Sequence, residues 1–319
     1  MKNLIPITLA ATLVASGISS AQTPAYSKPS GYVTQEIQPG FNLVGINLVN
    51  APTVSGTLSA VNASSVVVGT TDLSALTVGA LYTLEVTSGV RSGTTVEFSQ
   101  WSGSTITTVD NLSASGVLVG SNFLLRKAAT LEEVFGTTGS VLTRNNNSDS
   151  ADIIWIPNGS GGYNRFFLNT AGAWRNALGG AAPNTPIVYL DGLFIQRKGA
   201  TPVSVVTTGQ VKTTLTSISL GTGFNLIGTI FPAGATLQSC GLDAVLARNN
   251  NSDSADIVWI PTGSGTYARY FVNGSGVWRN TLGGAAAANL PLTSSVFVQR
   301  KGTGTISATL TPPSTYSSL

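Results

Sequence analysis

One stretch of this chain occurs twice, and the repetition constrains the fold more than any other feature. Residues 144–182 and 248–286 align without a gap, and 29 of the 39 positions are identical. Shorter matching segments flank both copies: FNLVG at 41–45 and FNLIG at 224–228 before them, and FIQRKG at 194–199 and FVQRKG at 297–302 after them. The sequence therefore predicts two modules that share one fold.

The composition favours strands over helices. Only 9% of the residues are charged, whereas globular proteins usually carry about 25%, and exposed helix faces normally use Glu and Lys. Valine, threonine and aromatic residues between Gly- and Asn-rich breaks are typical of short strands. We predict an all-β chain of two homologous antiparallel modules, each barrel-like or sandwich-like, with one or two very short helices.

The first module contains about 80 residues that the second lacks. Phe41 and Arg144 are 103 residues apart, but their counterparts Phe224 and Arg248 are 24 apart. The extra segment, about 51–128, has its own strand pattern, which suggests a small inserted antiparallel barrel. Its predicted strands are 65–68, 81–86, 95–98, 105–109 and 122–125.

The remaining boundaries follow from local composition. Residues 1–21 have the charged start, apolar stretch and small-residue end of a signal peptide, so we predict export to the periplasm, the outer surface or the extracellular space. An uncleaved anchor is the alternative. We predict a linker at 22–30, the first module at 31–208, the second module at 209–310 and a flexible tail at 311–319. No transmembrane segment is expected in the mature chain.

One helix signal is clear. Thr130 can cap the amide of Glu133, and the Glu133 side chain can reach back to Thr130, which is the capping-box pattern. Gly136 is expected to end this helix in the left-handed conformation. In the second copy, Thr236 begins the matching turn and Gly241 is expected to end it.

The chain resembles a family of exported, β-rich bacterial proteins of verrucomicrobial type. The resemblance lies in the sequence segments DIIWIPNGSGGYNRFF, AWRN and FIQRKG of the first module, and in LEVTSG and LLRKAATLEEVFG of the insert and the residues that follow it. It covers most of the mature chain. The family has no assigned reaction, cofactor or partner, so the resemblance implies export, β-structure and duplication, and it assigns no catalytic residue.

The residue types argue against an enzyme. The chain has no histidine, so Ser-His-Asp and Cys-His arrangements are impossible. The single cysteine, Cys240, lies in an apolar context and is expected to be buried. Asp149 and Asp152 could form a catalytic carboxylate pair. The pair recurs in the second module, however, and two equal active sites in one small chain would be unusual. The net charge of +3 is too small and scattered for nucleic acid binding, so we predict no nucleic-acid partner.

The Asn- and Asp-rich loop is a candidate calcium site. Its oxygen-bearing side chains alternate as in calcium-binding loops, although the pattern fails the EF-hand spacing. The alternative is a turn whose side chains bond their own backbone, with salt links to Arg144 or Arg165. The candidate ligands are Asn145, Asn147, Asp149 and Asp152, with their copies Asn249, Asn251, Asp253 and Asp256. Apart from calcium, no cofactor is predicted.

The duplicated tryptophans are candidate sugar-binding platforms. If Trp174 is exposed, it can stack on a sugar ring while Arg175 and Asn176 bond to hydroxyl groups; the copies are Trp278, Arg279 and Asn280. If it is buried, it belongs to the core, as we expect for Trp155. The pairs Arg197-Lys198 and Arg300-Lys301 are interpreted as solvated charges that protect a sheet edge.

Together these features predict a non-enzymatic exported protein with a structural or adhesive role at the bacterial cell surface or in the matrix. Its candidate partners are itself, by self-assembly, or a surface glycan. Tandem carbohydrate-binding modules are the first alternative, and a calcium-stabilised surface protein is the second.

Overall fold

The structure is a computed structural model that describes residues 29–318, except 264, 283, 285 and 286. The predicted signal peptide at 1–21 and nearly all of the linker at 22–30 lie outside the described residues. No helix within the described ranges is long and apolar enough to cross a membrane.

The all-β prediction is confirmed, with one short α-helix and two single turns of 3-10 helix at Leu242–Ala244 and Ser314–Ser318 among the described elements. The strands are β1 (Ser30–Ile37), β2 (Gly40–Gly45), β3 (Pro52–Thr57), β4 (Ala60–Val61), β5 (Ser65–Val67), β6 (Tyr82–Val86), β7 (Thr95–Phe98), β8 (Gln100–Ser102), β9 (Thr105–Thr107), β10 (Asn122–Lys127), β11 (Ala129–Thr130), β12 (Ile153–Pro157), β13 (Tyr163–Leu168), β14 (Trp174–Asn176), β15 (Pro186–Ile187), β16 (Gly192–Arg197), β17 (Val203–Gln210), β18 (Thr216–Leu220), β19 (Gly223–Ile227), β20 (Ile257–Gly263), β21 (Thr266–Val272), β22 (Trp278–Asn280), β23 (Val296–Arg300) and β24 (Ile306–Leu310). The α-helix is α1 (Leu131–Phe135).

The two copies of the repeat build the same five-stranded antiparallel sheet. The strand order is β14-β13-β12-β16-β2 in the first module and β22-β21-β20-β23-β19 in the second. The register also matches: Trp155 lies opposite Arg165 and Phe194, and its copy Trp259 lies opposite Arg269 and Phe297. A similar sequence has thus folded twice into one topology.

Each module is closed by a pair of strands from its two ends. β1 pairs with β17 in the first module, and β18 pairs with β24 in the second. Gly209 and Gln210, which the sequence places at the start of the second module, pair with Gly31 and Ser30. The strand pairing therefore extends the first module to Gln210, and the second module begins at β18.

The insert is a separate β-unit with its own core. Its strands form two four-stranded sheets, β3-β10-β6-β7 and β4-β5-β9-β8. Side chains from both sheets, such as Leu84, Phe123 and Ile106, are fully buried in one cluster. All five strands predicted in the insert are present, but no sheet among the described residues closes into a barrel. The barrel prediction was wrong for the insert, which is better described as a small sandwich.

The capping box is confirmed at α1. The Thr130 hydroxyl accepts from the Glu133 amide at 3.2 Å, and the Glu133 carboxylate accepts from the Thr130 amide at 2.9 Å. Gly136 follows with φ +76° and ψ −168°, a region that is essentially restricted to glycine but is not the left-handed helical conformation we predicted.

In the second copy the matching turn uses a serine in place of the glutamate. The Thr236 and Ser239 side chains accept from each other's backbone amides. Gly241 follows with φ +87° and ψ 0°, as predicted for a left-handed stop. A short hydroxyl therefore makes the same reciprocal cap that the carboxylate makes in the first copy.

The two modules contact each other through equivalent positions. Phe194 and Phe297 occupy the same place in the two copies, and their ring centroids are 5.7 Å apart. Gly192 is the counterpart of Ser295, and a Cβ atom at Gly192 would lie 2.6 Å from the Ser295 Cβ. Residues that contact their own equivalents are typical of a two-fold arrangement. The modules are thus docked as an internal dimer.

Hydrogen bonds reinforce this docking. The Ser295 hydroxyl donates to the Val44 carbonyl at 2.7 Å, and the Ser294 hydroxyl donates to the Leu43 carbonyl at 2.9 Å. The buried Asn47 side chain donates to the Phe231 carbonyl at 3.1 Å. Because these groups are buried or partly buried, leaving any of them unpaired would cost free energy.

A buried charge network attaches the insert to the modules. Glu85 of the insert contacts Arg126 Nε at 2.8 Å and Lys212 Nζ at 2.9 Å, and it accepts from the Tyr189 hydroxyl at 2.8 Å. Burial alone would raise the pKa of Glu85, but Lys212 and Arg126 lower it below its usual value. The carboxylate therefore stays charged and joins three parts of the chain.

The chain end is also packed. The Tyr316 hydroxyl donates to the Ala233 carbonyl at 2.9 Å, and its ring contacts Phe231 with centroids 6.0 Å apart. Within the segment 311–319 that the sequence predicts to be a flexible tail, the structure thus places Tyr316 against the second module. Packing of the ring, together with this hydrogen bond, offsets the entropy of ordering the segment.

We predict that Gly192→Ser destabilises the fold by about 1–3 kcal/mol, because the new side chain would overpack the contact with Ser295. Adding Ser295→Gly should recover part of this loss, since it exchanges the two equivalent residues. Denaturant unfolding monitored by tryptophan fluorescence measures both effects. Gly31→Ala is the control, because a Cβ atom at Gly31 would have no neighbour within 4 Å. If the double variant Gly192→Ser/Ser295→Gly is as unstable as Gly192→Ser alone, the docking geometry is contradicted.

Candidate functional site

The tryptophans that we singled out as sugar platforms are buried. Trp174 is 2% exposed and Trp278 is 0% exposed. The Trp174 indole donates to the Gly136 carbonyl at 3.0 Å, and its ring contacts Phe135. Neither ring can stack on a ligand, so of the two alternatives the structure supports the core for both tryptophans and not the sugar platform.

The polar neighbours of these tryptophans shape turns. The Asn176 side-chain oxygen accepts from the amides of Leu178 at 3.0 Å and Gly180 at 2.9 Å, and the Asn280 oxygen accepts from the Leu282 amide at 2.8 Å. Arg175 and Arg279 are half-buried on the same short strands. The structure therefore gives the asparagines a local structural role.

The Asn- and Asp-rich loop forms successive Asx turns. The Asn145 side chain accepts from the Asn147 amide at 2.9 Å, and the Asn147 side chain accepts from the Asp149 amide at 2.9 Å. The same two bonds recur in the second copy between Asn249, Asn251 and Asp253. These oxygens face the loop's own backbone. Within the described residues, no group of three or more His, Cys, Asp or Glu side chains is arranged to hold a metal ion.

Asp152 and Asp256 serve as buried anchors for this loop. Asp152 contacts Arg197 at 2.6 Å and accepts from the amides of Thr143 at 2.8 Å and Lys198 at 2.7 Å. Asp256 accepts from the amides of Ala247 at 2.9 Å and Lys301 at 2.7 Å. Asp152 thus ties the start of its loop to the end of β16, and Asp256 does the same for its loop and the end of β23.

This arrangement corrects the interpretation of the terminal Arg-Lys pairs. Arg197 is 8% exposed and Arg300 is 6% exposed, so both are buried partners of the aspartates, although the Arg300–Asp256 contact is longer at 3.7 Å. Lys198 and Lys301 are exposed, as the sequence suggested. The salt link of the loop is made by Arg197, and not by Arg144 or Arg165.

A further cluster, partly exposed, is aromatic. Trp155 and Tyr163 are duplicated in the repeat as Trp259 and Tyr267, but the sequence did not show that they join other rings in one cluster. We define the aromatic belt as eight residues, four from equivalent positions of each module. Its members are Phe41, Trp155, Tyr163 and Phe194, with Phe224, Trp259, Tyr267 and Phe297.

The belt is continuous across the two modules. In the first module, Phe41 contacts Trp155 at 5.8 Å between ring centroids, and Tyr163 contacts Phe194 at 5.6 Å. The second module repeats these contacts at 5.7 Å and 6.0 Å. The contact between Phe194 and Phe297 joins the two halves. Such ring distances are within the range of favourable aromatic pairs.

Strand alternation explains why these rings share a face. Phe194 and Gln196 are two residues apart on β16 and therefore point to the same side, whereas Leu193 and Ile195 point into the core. The Asn42 side-chain amide donates to the Gln38 carbonyl at 2.7 Å, which closes the turn before the edge strand β2, and to the Ile195 carbonyl at 3.3 Å, which joins β2 to β16. Asn225 makes the equivalent bonds for β19, to the Gly221 carbonyl and to the Val298 carbonyl of β23.

The belt is partly open to solvent. Phe41 is 47% exposed, Phe224 is 59% exposed and Tyr163 is 36% exposed. Trp155 is half-buried, so our expectation that it belongs to the core is only partly correct. Arg165 and Arg269 lie over the rings of Trp155 and Trp259, both at 5.3 Å from the ring centroid. The guanidinium groups add polar donors beside an apolar surface.

The hydroxyl groups of the belt remain protonated at neutral pH. Burial raises the pKa of Tyr163, and burial followed by the influence of Tyr163 raises the pKa of Tyr267. Both phenols therefore act as hydrogen-bond donors and acceptors.

Burial also raises the pKa of groups outside the belt, and Asp191 and Cys240 are two of them. Burial raises the pKa of Asp191 to about 7, and Glu97 adds to the shift. Burial also raises the pKa of the Cys240 thiol to about 12. Cys240 is 3% exposed, which confirms that it is buried, and a thiol in this state is a poor nucleophile.

Comparison with protein-family models, curated proteins and solved structures finds no match for this chain.

We predict that Asp152→Asn destabilises the protein by about 3–5 kcal/mol, because it removes the carboxylate from the buried Arg197. Asp149→Asn is the matched control, since Asp149 is exposed in the same loop and should change stability by at most about 0.5 kcal/mol. Urea unfolding of the three proteins measures both values. Equal effects of the two variants would contradict the anchor role of Asp152. A wild-type melting temperature that rises with calcium and falls with chelator would show that the loop binds a metal ion.

Proposed function

We propose that this chain is a non-enzymatic exported protein with a structural or adhesive role at the bacterial cell surface or in the matrix, and that the aromatic belt is its contact surface. The observation that carries the proposal is the continuity of eight aromatic rings across two docked modules, three of them at least one-third exposed.

The chemistry of the belt supports a contact role. Aromatic residues and arginine are enriched where proteins bind partners, because they bury a large area and still offer polar groups. The belt combines both through Arg165 over Trp155 and Arg269 over Trp259. An exposed apolar patch with a polar border is typical of an interaction site.

Duplication supports adhesion more than catalysis. Each module contributes one half of the belt, so the chain can make twice the contacts that one module could make. Linking two weak binding surfaces in one chain raises the overall affinity without any new kind of contact. The burial of Trp174 and Trp278 also leaves the structural or adhesive role as the better supported interpretation of this pair of modules.

Export to the periplasm, the outer surface or the extracellular space is part of the proposal. It rests on the pattern of residues 1–21 and on the resemblance to exported β-rich bacterial proteins. The low charge content and the abundance of Gly, Ser, Thr and Asn turns fit an extracellular scaffold.

The test replaces the two most exposed belt residues. We expect wild-type protein to self-associate in sedimentation velocity, to co-sediment with purified peptidoglycan sacculi, or to do both. The double variant Phe41→Ser/Phe224→Ser should lower this binding at least tenfold, because it removes exposed apolar area from both half-belts.

The control is Leu178→Ser/Leu282→Ser. These leucines are 94% and 85% exposed at equivalent positions of the two copies but lie outside the belt, so this variant should bind like the wild type. A wild-type protein that neither self-associates nor binds sacculi contradicts the proposal, and so does a belt variant that binds as well as the control.

A further inference from the structure

A cleft of about 500 Å³ lies between the two modules. One wall comes from β1 and β2 of the first module, including Gln35 and Phe41. The opposite wall comes from β20 and β21 of the second module, including Tyr267, and from Ser294 before β23. Small-molecule sites commonly have volumes of about 300–1,000 Å³ and lie at domain interfaces.

Aromatic groups from the belt border this cleft on both sides. Phe41 is 47% exposed, and Tyr267 is half-buried with its ring held against Trp259 at 6.5 Å and Phe297 at 6.0 Å. An aromatic ring held by its neighbours offers a rigid apolar surface, and the tyrosine adds a hydroxyl. This combination suits a ligand that has both an apolar face and hydroxyl groups.

The polar lining is amide and hydroxyl rather than charged. It includes the side chains of Thr34, Gln35, Gln38 and Thr266. Among the described residues that line the cleft, Glu36 is the one charged side chain, and Gln38 donates a hydrogen bond to it. Because none of the described lining residues is a lysine or an arginine, an anionic ligand has no counter-charge in the cleft. A cationic ligand has only Glu36, which is exposed to solvent and already accepts the bond from Gln38. The lining therefore favours a neutral ligand.

The cleft breaks the two-fold relation of the modules. Phe224 and Tyr163 are the counterparts of Phe41 and Tyr267, but they do not line it. The wall residues 33–38 include most of β1, which has eight residues, whereas its counterpart β18 has five. Phe224 is therefore a matched control for Phe41, and Tyr163 for Tyr267: each control lies in the belt but does not line the cleft.

We propose that this cleft binds a neutral saccharide, with Phe41 and Tyr267 stacking on the sugar rings and the amide and hydroxyl side chains bonding to sugar hydroxyls. The proposal rests on the adhesive function proposed above and gives it a ligand class. Gln35 is positioned for this role, because its amide nitrogen donates to the Gly45 carbonyl at 2.8 Å.

Isothermal titration of the purified chain against oligosaccharides tests the proposal. Cello-, N-acetylated chito-, malto- and xylo-oligosaccharides are the neutral probes, and sulfated and uronic acid oligosaccharides are the charged ones. We expect a neutral probe to bind. Tyr267→Ala and Phe41→Ala should weaken that binding at least tenfold, whereas Tyr163→Ala and Phe224→Ala should change it less than twofold. Melting temperatures identify any variant that is unfolded, and the highly exposed Phe41 provides a variant that should remain folded.

The outcomes separate this inference from the proposed function. If no neutral probe binds, if charged probes bind more tightly, or if the cleft variants and their matched controls lose binding equally, the saccharide cleft is overturned. If such a protein still self-associates or binds sacculi through the belt, the adhesive function stands without the cleft. If a saccharide binds in the cleft while the belt variant keeps full adhesion, the belt proposal fails instead.

Discussion

The packing of Phe194 against Phe297, beside the close approach of Gly192 to Ser295, is the contact on which the rest of the structure depends. It brings equivalent strands β16 and β23 together and makes one molecule out of two similar modules. Because Gly192 leaves the space that the Ser295 side chain occupies, the two copies differ where they would otherwise collide. A duplicated chain needs this kind of difference at the point where a residue meets its own equivalent.

Buried charges hold the additional parts in place. Asp152 fixes the Asn-rich loop to the end of β16, and Glu85 fixes the insert to Lys212 between the modules. Each of these carboxylates has several partners, which is what makes a buried charge tolerable. In a chain with so few charged residues, these charges define how loops and subdomains attach, while apolar packing supplies the cores.

Local patterns in the sequence predicted the local structure well. The duplication, the strand series, the insert and the capping box at Thr130 are all present, because strand alternation and cap chemistry depend on neighbours in sequence. The conformation of Gly136 is one local exception, and what the sequence mainly missed are contacts between distant residues. The pairing of Gly209 with Gly31, the burial of Arg197 by Asp152 and the packing of Tyr316 on Phe231 join residues that are far apart along the chain.

The candidate site shows the same division. Trp174 was a reasonable platform from its neighbours, but burial is decided by α1 and the surrounding core, which the local sequence does not reveal. One feature of the sequence could have pointed to the belt. Phe41 and Phe224 occupy equivalent positions in the matching segments before the repeat, and Phe194 and Phe297 do so in the matching segments after it. What the sequence could not show is that docking joins the two sets of rings and opens a cleft beside them.

The central claim is that the modules are docked through equivalent residues, and a double-mutant cycle on Phe194 and Phe297 tests it most directly. The unfolding free energies of wild type, Phe194→Ala, Phe297→Ala and the double variant give the coupling between the two rings. The structure predicts a favourable coupling of about 0.5–1.5 kcal/mol. Additivity of the two single losses, within about 0.3 kcal/mol, would show that the rings do not touch and would contradict the docked arrangement.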